Sequence, residues 1–549
     1  MRRVLVLSLW AAAGLSAQTS AQLQPARPLR PEDACTLEGR TVNSVTGEPV
    51  KWANVTVQGG VAGGGRGGTF GTYTTTSNGE GTFAMKNLPP GRYSIRAERS
   101  GFSGTSVPMT TLTPGQRMTG LELKLQPLAA IAGRVLDEHG DPVTRATVMA
   151  MSYGYMQGRK QLLPTSSAPT NDLGEYRAFG LAPGRYFIAA TFPPGFSVMP
   201  SGEDRSAAPA PEEAYATTYY PGTTDMRSAA QVEAPPGAAV ENINLQLAKL
   251  PAVRVRGSVV NQSGTGFPVV QVSMMRTGDS GSYSMGSLGA SAIQGQFEFR
   301  GVTSGRYMLT ATYFEGQKQL QGRQVVDVGS TNVENVTITL GTGFDVPGKV
   351  RVDGQTQIGL QTLSVFLQPA DSSVGGSVQS AKVDTEGNFV LSGIWPGRYL
   401  LSVSAPSSFY VKSQRLGSED VLETPLDLTG GAGGALSIVL GITTSEVSGA
   451  VSSEDGTPVV SATVVLIPES AKRRELQQFY RMVPTGQAGG YKMIGVAPGR
   501  YKLFAWERIP TFAWMDPDVL KPVESKGKTI EIQEGSKDTV DLRALPPVE

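Results

Sequence analysis

Histidine and cysteine, the side chains on which many catalytic and metal sites depend, are almost absent from this chain, which has 549 residues and one of each. The single cysteine, Cys35, excludes a disulfide within the chain and is expected to be an unreactive thiol in an N-terminal linker. The single histidine, His139, lies in a polar turn, and a peptidase-type zinc site needs two histidines and a carboxylate. We therefore predict no catalytic residues, no metal and no cofactor, so the chain is not expected to be an enzyme.

An excess of charge and long apolar runs are also lacking. The 48 basic and 47 acidic residues give a net charge of +1, which provides no electrostatic case for nucleic acid or an anionic membrane as a partner. Residues 1–21 have the pattern of a secretory signal peptide, with Arg2 and Arg3 before a short apolar run and Ala21 as the preferred cleavage position; an uncleaved anchor is the alternative. No later segment approaches the roughly 18 apolar residues of a spanning helix. The sequence predicts export by the secretory pathway, no transmembrane segment in the mature chain, and a periplasmic, cell-surface or extracellular location.

What the chain does contain is a repeat with five copies. Each copy has a Pro-Gly-Arg-Tyr turn, with Ser304 replacing proline in the third, and a second aromatic residue ten positions before the tyrosine. A glycine precedes that second aromatic by two positions in every copy. The turn residues are Gly91 and Tyr93, Gly184 and Tyr186, Gly305 and Tyr307, Gly397 and Tyr399, and Gly499 and Tyr501. The second aromatics are Phe83, Tyr176, Phe297, Phe389 and Tyr491.

The repeat motif predicts a turn followed by a half-buried strand. Proline presets φ for the second turn position, and glycine supplies the positive φ of the third. Apolar residues then alternate from each tyrosine, as at Ile95 and Ala97, which is the period of a strand with one buried face. We expect the tyrosine ring in the core, its hydroxyl bonded near the turn, and the arginine in solvent, although five arginines could also form a ligand clamp.

This spacing predicts an all-β fold, a tandem array of five antiparallel Ig-like or transthyretin-like β-sandwich modules. After the signal peptide and an N-terminal linker at 22–35, the modules are predicted at 36–127, 128–250, 251–342, 343–443 and 444–549. Module 2 contains a Pro/Ala-rich insertion at 193–236, expected to be either a flexible loop or a loop with an extra edge strand. The short linkers predict a semi-rigid string that spans on the order of 150 Å.

The glycine-led opening strand, such as Gly39-Arg40-Thr41-Val42, the Gly-x-aromatic strand and the Pro-Gly-Arg-Tyr turn together resemble carboxypeptidase regulatory-like domains of exported bacterial proteins. These are transthyretin-like sandwiches that are often grouped with carbohydrate-binding-like folds. The resemblance covers nearly all of the mature chain. It implies β-sandwich modules and carries no implication of peptidase activity.

The sequence therefore predicts an exported, non-catalytic binding or scaffold protein whose partners are polysaccharide or other cell-surface proteins. If the ligand is a glycan, Tyr219, Tyr220, Trp506 and Trp514 are candidates for stacking on sugar rings, and each could instead be packing in a core or loop. Two other functions stay open, a purely structural spacer and an accessory or regulatory partner of a secreted hydrolase. The acidic turns at Asn78, Asn171 and Asp384 favour Asx turns over weak calcium sites.

Overall fold

The computed structural model describes residues 29–60, 70–156, 158–192, 212–261, 269–277, 287–316, 318–354, 359–370, 378–406, 408–442, 445–486 and 488–548. Strands make up about 60% and helices about 6% of the structure, so the predicted all-β class is confirmed. Five β-sandwich modules follow one another along the chain. The predicted signal peptide, and residues 193–211 of the predicted insertion, lie outside the described residues.

The strands of each module are as follows. Module 1 contains β1 (Cys35–Asn43), β2 (Asn54–Gly60), β3 (Phe70–Thr76), β4 (Thr82–Leu88), β5 (Gly91–Glu98), β6 (Phe102–Ser103), β7 (Thr105–Leu112) and β8 (Arg117–Pro127). Module 2 contains β9 (Ala129–Leu136), β10 (Thr147–Met156), β11 (Arg159–Pro169), β12 (Glu175–Leu181), β13 (Gly184–Thr191), β14 (Glu212–Tyr215), β15 (Thr218–Tyr219), β16 (Gln231–Ala234), β17 (Ala239–Val240) and β18 (Leu245–Gln246). Module 3 contains β19 (Lys249–Val260), β20 (Val269–Arg276), β21 (Ser287–Ile293), β22 (Gln296–Thr303), β23 (Gly305–Glu315), β24 (Lys318–Val328) and β25 (Val333–Thr339).

The last two modules are built in the same way. Module 4 contains β26 (Phe344–Asp353), β27 (Ser364–Pro369), β28 (Gln379–Lys382), β29 (Asn388–Ile394), β30 (Arg398–Ser404), β31 (Phe409–Leu416), β32 (Glu419–Asp420), β33 (Leu426–Asp427) and β34 (Leu436–Ile442). Module 5 contains β35 (Glu446–Ser452), β36 (Thr463–Pro468), β37 (Arg481–Pro484), β38 (Gly490–Ile494), β39 (Gly499–Trp506), β40 (Lys528–Ile532), β41 (Lys537–Thr539) and β42 (Leu542–Arg543), with the short helices α1 (Ala471–Arg474) and α2 (Pro517–Leu520). Short 3₁₀ helices span Pro31–Asp33, Met226–Ser228, Leu360–Thr362, Gln477–Phe479, Ala513–Met515 and Lys521–Lys526.

All five modules share one strand arrangement. The opening strand of each (β1, β9, β19, β26 and β35) pairs antiparallel with the strand that carries the second aromatic. On its other side it pairs parallel with the closing strand of the same module. The sandwiches are therefore antiparallel except where the first and last strands meet. Module 3 differs in that its seven strands, together with β14, form one eight-stranded sheet.

The repeated glycines and aromatics are explained by this pairing. In every module the opening-strand glycine lies directly opposite the second aromatic, for example Gly39 opposite Phe83 and Gly348 opposite Phe389. A Cβ at Gly39 would lie 2.9 Å from Phe83 Cζ and 2.2 Å from the Leu121 carbonyl oxygen. The ring thus occupies the space that the glycine leaves, and the same pairs recur as Gly133 with Tyr176, Gly257 with Phe297 and Gly449 with Tyr491.

The glycine that precedes each second aromatic has left-handed backbone. Its φ lies between +70° and +88° at Gly81, Gly174, Gly295, Gly387 and Gly489. Its carbonyl accepts a hydrogen bond from the opening strand at 2.7–2.8 Å in each module. This conformation strongly favours glycine, so the hairpin before the second aromatic requires this residue.

Each turn tyrosine is buried and its hydroxyl donates to the carbonyl four residues earlier. The donor–acceptor distances are 2.7 Å for Tyr93, 2.6 Å for Tyr186, 2.9 Å for Tyr307, 2.8 Å for Tyr399 and 2.9 Å for Tyr501. This is the partner near the turn that the sequence predicted, and the arginine before each tyrosine is exposed. The hydroxyl therefore closes the turn onto the strand that follows it.

The turn glycine does not have the predicted conformation throughout. Gly305, Gly397 and Gly499 have φ values of +152° to +159°, close to extended backbone, and Gly91 and Gly184 have no positive φ. The prediction of a positive φ at the third turn position is therefore wrong in modules 1 and 2. The glycine is instead the first residue of the strand in four of the five modules.

Cys35 is in the core of module 1, so its predicted place in a linker is wrong. It is the first residue of β1, has no exposed surface, and its thiol donates to the Thr113 carbonyl at 3.1 Å. The reason is that β1 extends four residues before Gly39 to pair with β4 and β8. A small apolar side chain at this end of the strand completes the core.

The insertion of module 2 contributes strands to two modules. β15 and β16 pair with β13 in module 2, whereas β14 pairs antiparallel with β19 and so adds an edge strand to the sheet of module 3. The predicted extra edge strand is therefore present, but it belongs to the following module. This shared strand ties the two modules together.

The chain does not form the extended string that the short linkers suggested. Tyr155, in module 2, packs against a hydrophobic cluster of module 5, and Gly158 lies against Met515. Modules 4 and 5 are joined by an ion pair in which Arg473 Nε lies 2.6 Å from Glu423 Oε1. The chain thus folds back so that its second and fifth modules meet.

Candidate binding face on the second module

Two of the four aromatics predicted to stack on sugars are buried. Trp506 is 1% and Trp514 is 5% exposed, and both belong to a hydrophobic cluster on the outer face of module 5. A glycan needs an exposed ring face, so the prediction for these two residues is not supported by the structure. The physical reason is that the segment after β39 folds over the outer face of its sheet and covers both rings.

Tyr219 and Tyr220 lie in module 2, away from the two tryptophans, and are half-buried. Tyr219 packs against a cluster that includes Met151 and Phe187, and burial raises the pKa of its phenol. Tyr220 packs against the core of the module. Both rings thus have packing roles, and the structure does not bring the four predicted aromatics into one site.

An aromatic that the sequence analysis did not select is far more exposed. Phe179, on β12, has 66% of its surface exposed, more than either predicted tyrosine. Its orientation follows from strand alternation, because Tyr176 and Ala178 of the same strand face the core while Arg177 and Phe179 face outward. Counting outward positions from Tyr176 would have identified it.

Phe179 borders a groove of about 840 Å³ on the outer face of the β9–β12 sheet, which we call the module 2 face. Ala132 and Gly133 also line the groove. Glu175, four residues from Phe179 on the same strand, forms an ion pair with Arg134 at 2.8 Å. The backbone positions of Phe179 and Glu175 are therefore about 13 Å apart along the strand.

The polar part of the module 2 face is held in place by hydrogen bonds. Asn171 Nδ2 donates to Glu175 Oε2 at 3.2 Å, and Asn244 Oδ1 accepts from the Arg134 backbone N–H at 2.9 Å. The hydrogen bond from Asn171 and the Arg134 guanidinium hold the pKa of Glu175 below its usual value. The groove thus combines one exposed apolar ring with fixed donors and acceptors at neutral pH.

The other modules lack an aromatic at the position of Phe179. Counting three residues from the second aromatic gives Lys86, Arg300, Ser392 and Ile494 in modules 1, 3, 4 and 5. Module 1 has a comparable groove of about 590 Å³ over Gly39, with Arg40 and Glu122 at its edge. The combination of groove and exposed ring therefore distinguishes module 2 from module 1.

The residues considered for metal or catalytic chemistry occupy ordinary turns. The His139 side chain is 74% exposed, in a turn where Asp137 Oδ1 accepts two backbone N–H groups. Asn78, Asn171 and Asp384 likewise accept backbone N–H groups within their own turns, which supports the Asx-turn interpretation. Within the described ranges, no group of three or more histidine, cysteine, aspartate or glutamate side chains is placed to hold a metal ion.

None of the helices in the described part of the chain has the length and apolar character that crossing a bilayer requires.

Two parts of the chain match known domain families. Residues 36–126, which form module 1, match the carboxypeptidase regulatory-like domain, so the resemblance found in the sequence is confirmed there. Residues 341–419, in module 4, match the second β-sandwich domain of the NOMO1-like subunit of the BOS complex. No curated protein matches the chain.

Several solved structures, two of them of pilins, are similar at low level. The minor pilin GBS52 of Streptococcus agalactiae is 12% identical over 39% of this chain and 96% of its own, with a TM-score of 0.23. The shaft pilin SpaA of Lactobacillus rhamnosus GG is 12% identical over 40% of this chain and 97% of its own, with a TM-score of 0.20. The Bacillus anthracis TIE protein is 11% identical over 75% of each chain, with a TM-score of 0.16. These scores are too low to carry an argument about function.

Proposed function

We propose that the chain is an exported, non-catalytic scaffold that binds polysaccharide through the module 2 face. The observation that carries the binding role is that the exposed ring of Phe179 and the fixed Arg134–Glu175 pair line the same groove. Sugar rings have apolar faces that stack on flat aromatic rings and hydroxyls that bond planar amide, carboxylate and guanidinium groups. Export rests on the signal-peptide pattern of residues 1–21.

The scaffold role is supported by what the repeat motif does. The five glycine–aromatic pairs pack inside the sandwiches, and the five tyrosine hydroxyls bond carbonyls of their own modules. The repeat motif therefore has a structural role in each module. The family matched by module 1 is described as a regulatory-like domain. Strand β14 and the Glu423–Arg473 ion pair fix neighbouring modules to one another. Such joints suit a protein whose task is to hold a binding face at a set position.

Binding is tested by affinity electrophoresis of the full chain through gels that contain neutral or acidic polysaccharides. We expect retardation by at least one polysaccharide, and we expect the Phe179→Ser variant to lose about tenfold in affinity because the stacking surface is removed. Phe314→Ser is the matched control, since Phe314 is equally exposed, at 65%, but lies on β23 of module 3. Equal loss in both variants would contradict a site at Phe179.

The other two functions predict different results. If no polysaccharide retards the wild-type chain, the binding role is wrong and a structural spacer is the better description. If co-purification recovers a secreted hydrolase whose turnover changes when the chain is added, the chain is an accessory partner instead. Both outcomes would leave the fold and its joints unchanged.

A further inference from the structure

Module 5 has a second hydrophobic cluster outside its sandwich. Strands β36 and β39 are buried on both faces, because the segment that follows β39 folds over the outer face of their sheet. The covering segment consists of the 3₁₀ turn Ala513–Met515 and the helix α2, and we call it the module 5 cap. Trp514 and Met515 of the cap are 5% and 9% exposed.

One aromatic in this cluster comes from another module. Tyr155, near the end of β10 in module 2, packs against it. The turn that follows brings Gly158 so close that a Cβ there would lie 2.5 Å from Met515 Cβ, and the φ of Gly158 is +74°. Gly158 is buried. The tip of the β10–β11 hairpin therefore fits closely against the module 5 cap.

The hairpin is built as a projecting arm. β10 pairs with β11 from Thr147 to Met156, but it pairs with β13 only from Thr147 to Met151. Its last five residues thus extend beyond the body of module 2 with β11 as their neighbour. In module 1 the corresponding strand β2 pairs with both β3 and β5 along its whole described length, from Asn54 to Gly60.

Charge on the two surfaces is complementary. Arg159 and Lys160 are exposed at the start of β11, opposite the last residues of β10. The cap carries Asp516 and Asp518, whose carboxylates raise the pKa of Tyr155 further than its burial alone does. The basic residues of the arm and the acidic residues of the cap thus carry opposite charges near the half-buried ring of Tyr155.

We propose that the module 5 cap is a docking site for the β10–β11 hairpin of the same chain, and that this contact is a latch that holds modules 2 to 5 in a closed ring. The latch rests on one tyrosine and one turn, whereas the core of module 5 alone buries fourteen residues. It can therefore open while every module stays folded. A contact this small is effective because both partners belong to one chain and have a high effective concentration.

Small-angle X-ray scattering of the full chain tests the latch with three variants. Tyr155→Asp places a carboxylate beside Asp516 and Asp518 and should open the ring, which lengthens the maximum dimension by about one module, on the order of 30 Å. Tyr155→Phe keeps the aromatic ring at this position, so the modules should stay closed and the variant should scatter like wild type. Tyr153→Asp, on the same arm but outside the cluster, is the matched control and should also scatter like wild type.

Calorimetric melting of Tyr155→Asp should match wild type, because the latch is not part of any module core. The proposal is overturned if Tyr155→Asp scatters like wild type, if Tyr153→Asp opens the chain equally, or if the wild-type chain is already fully extended. A mass that rises with concentration in size-exclusion chromatography with light scattering would also overturn it, because the hairpin would then dock on a second copy. None of these outcomes depends on polysaccharide binding at Phe179.

Discussion

The turn tyrosine shows how one hydroxyl can define a repeat. A phenylalanine would fill the same space, yet all five copies have tyrosine, and all five hydroxyls bond the carbonyl four residues earlier. The bond satisfies a carbonyl at the start of the turn while the ring stays in the core. Selection for a closed turn accounts for tyrosine better than selection for a ligand does.

This role predicts a modest loss of stability when the hydroxyl is removed. Tyr93→Phe should lower the free energy of unfolding of module 1 by about 1 kcal/mol, the usual net contribution of one hydrogen bond. Cys35 reports the change, because it is the one cysteine of the chain and is buried in this module. Its labelling by a thiol reagent in moderate urea should become about fivefold faster.

The same substitution in the next module provides the control for that measurement. Tyr186→Phe removes the equivalent bond from module 2 and should leave the labelling of Cys35 unchanged. Faster labelling in both variants would mean that modules 1 and 2 unfold together, which would contradict independent folding of the modules.

At the residue scale, the sequence predicts burial correctly where the alternation of a strand decides which side chains face the core. The burial of Ile95 and Ala97 follows from alternation after Tyr93, because one face of the strand must meet the core. The burial of Trp506 and Trp514 could not be predicted in that way, since it depends on a cap folded over the outer face of a sheet. The exposure of Phe179, in contrast, does follow from alternation along β12. It becomes visible only once Tyr176 is assigned to the inward face of that strand.

At the scale of strands, the opening glycine and the second aromatic act as one unit. The ring lies over the glycine of the neighbouring strand, so a side chain on the glycine would collide with the ring and with the parallel closing strand. This coupling explains why the two residues recur together although they are 43 to 44 positions apart in modules 1 and 2 and 40 to 42 in the others. Pairing across a sheet, rather than distance along the chain, sets the repeat.

The coupling predicts a severe effect of one methyl group. Gly39→Ala would place a Cβ 2.2 Å from the Leu121 carbonyl oxygen, so the two strands must separate. We expect module 1 to lose about 3 kcal/mol or more, which makes Cys35 over a hundredfold more reactive in thiol labelling. Gly79→Ala is the control in the same module, because nothing lies within 4 Å of its Cβ position. Equal reactivity in both variants would show that the glycine–aromatic pair is not needed.

The sequence could predict strands but not all of their partners. The repeat marks the opening strand and the strand of the second aromatic in each module, as at Gly133 and Tyr176, and the structure shows that these two strands pair. The pairing of β14 with β19 does not, because Glu212–Tyr215 has no motif that distinguishes the sheet of module 2 from that of module 3. Which sheet accepts an edge strand is decided by how the modules sit beside one another.

At the scale of the whole molecule, two kinds of contact restrain the modules. Neighbours are joined locally, as by Glu423 and Arg473, whose guanidinium also lies 4.9 Å over the ring of Phe479. The latch between modules 2 and 5 acts across the chain. In a closed ring, each contact holds the two partner surfaces of the other contact close together. The two contacts should therefore be energetically coupled although they share no residue.

Coupling predicts that weakening both contacts speeds proteolysis between modules 4 and 5 by more than the product of the two separate effects. Glu423→Lys places a second positive charge beside Arg473, and in the closed ring it should increase only slightly the rate at which a nonspecific protease cuts between modules 4 and 5. Added to Tyr155→Asp, the same substitution should raise that rate by more than the product of the two single effects. Glu419→Lys, on the exposed strand β32, is the matched control. Together with Tyr155→Asp it should raise the cleavage rate only by the product of the two single effects. If Glu423→Lys and Tyr155→Asp together also raise the cleavage rate only by the product of their single effects, the Glu423–Arg473 ion pair and the latch act independently. A ring that closes through modules 2 to 5 is then ruled out.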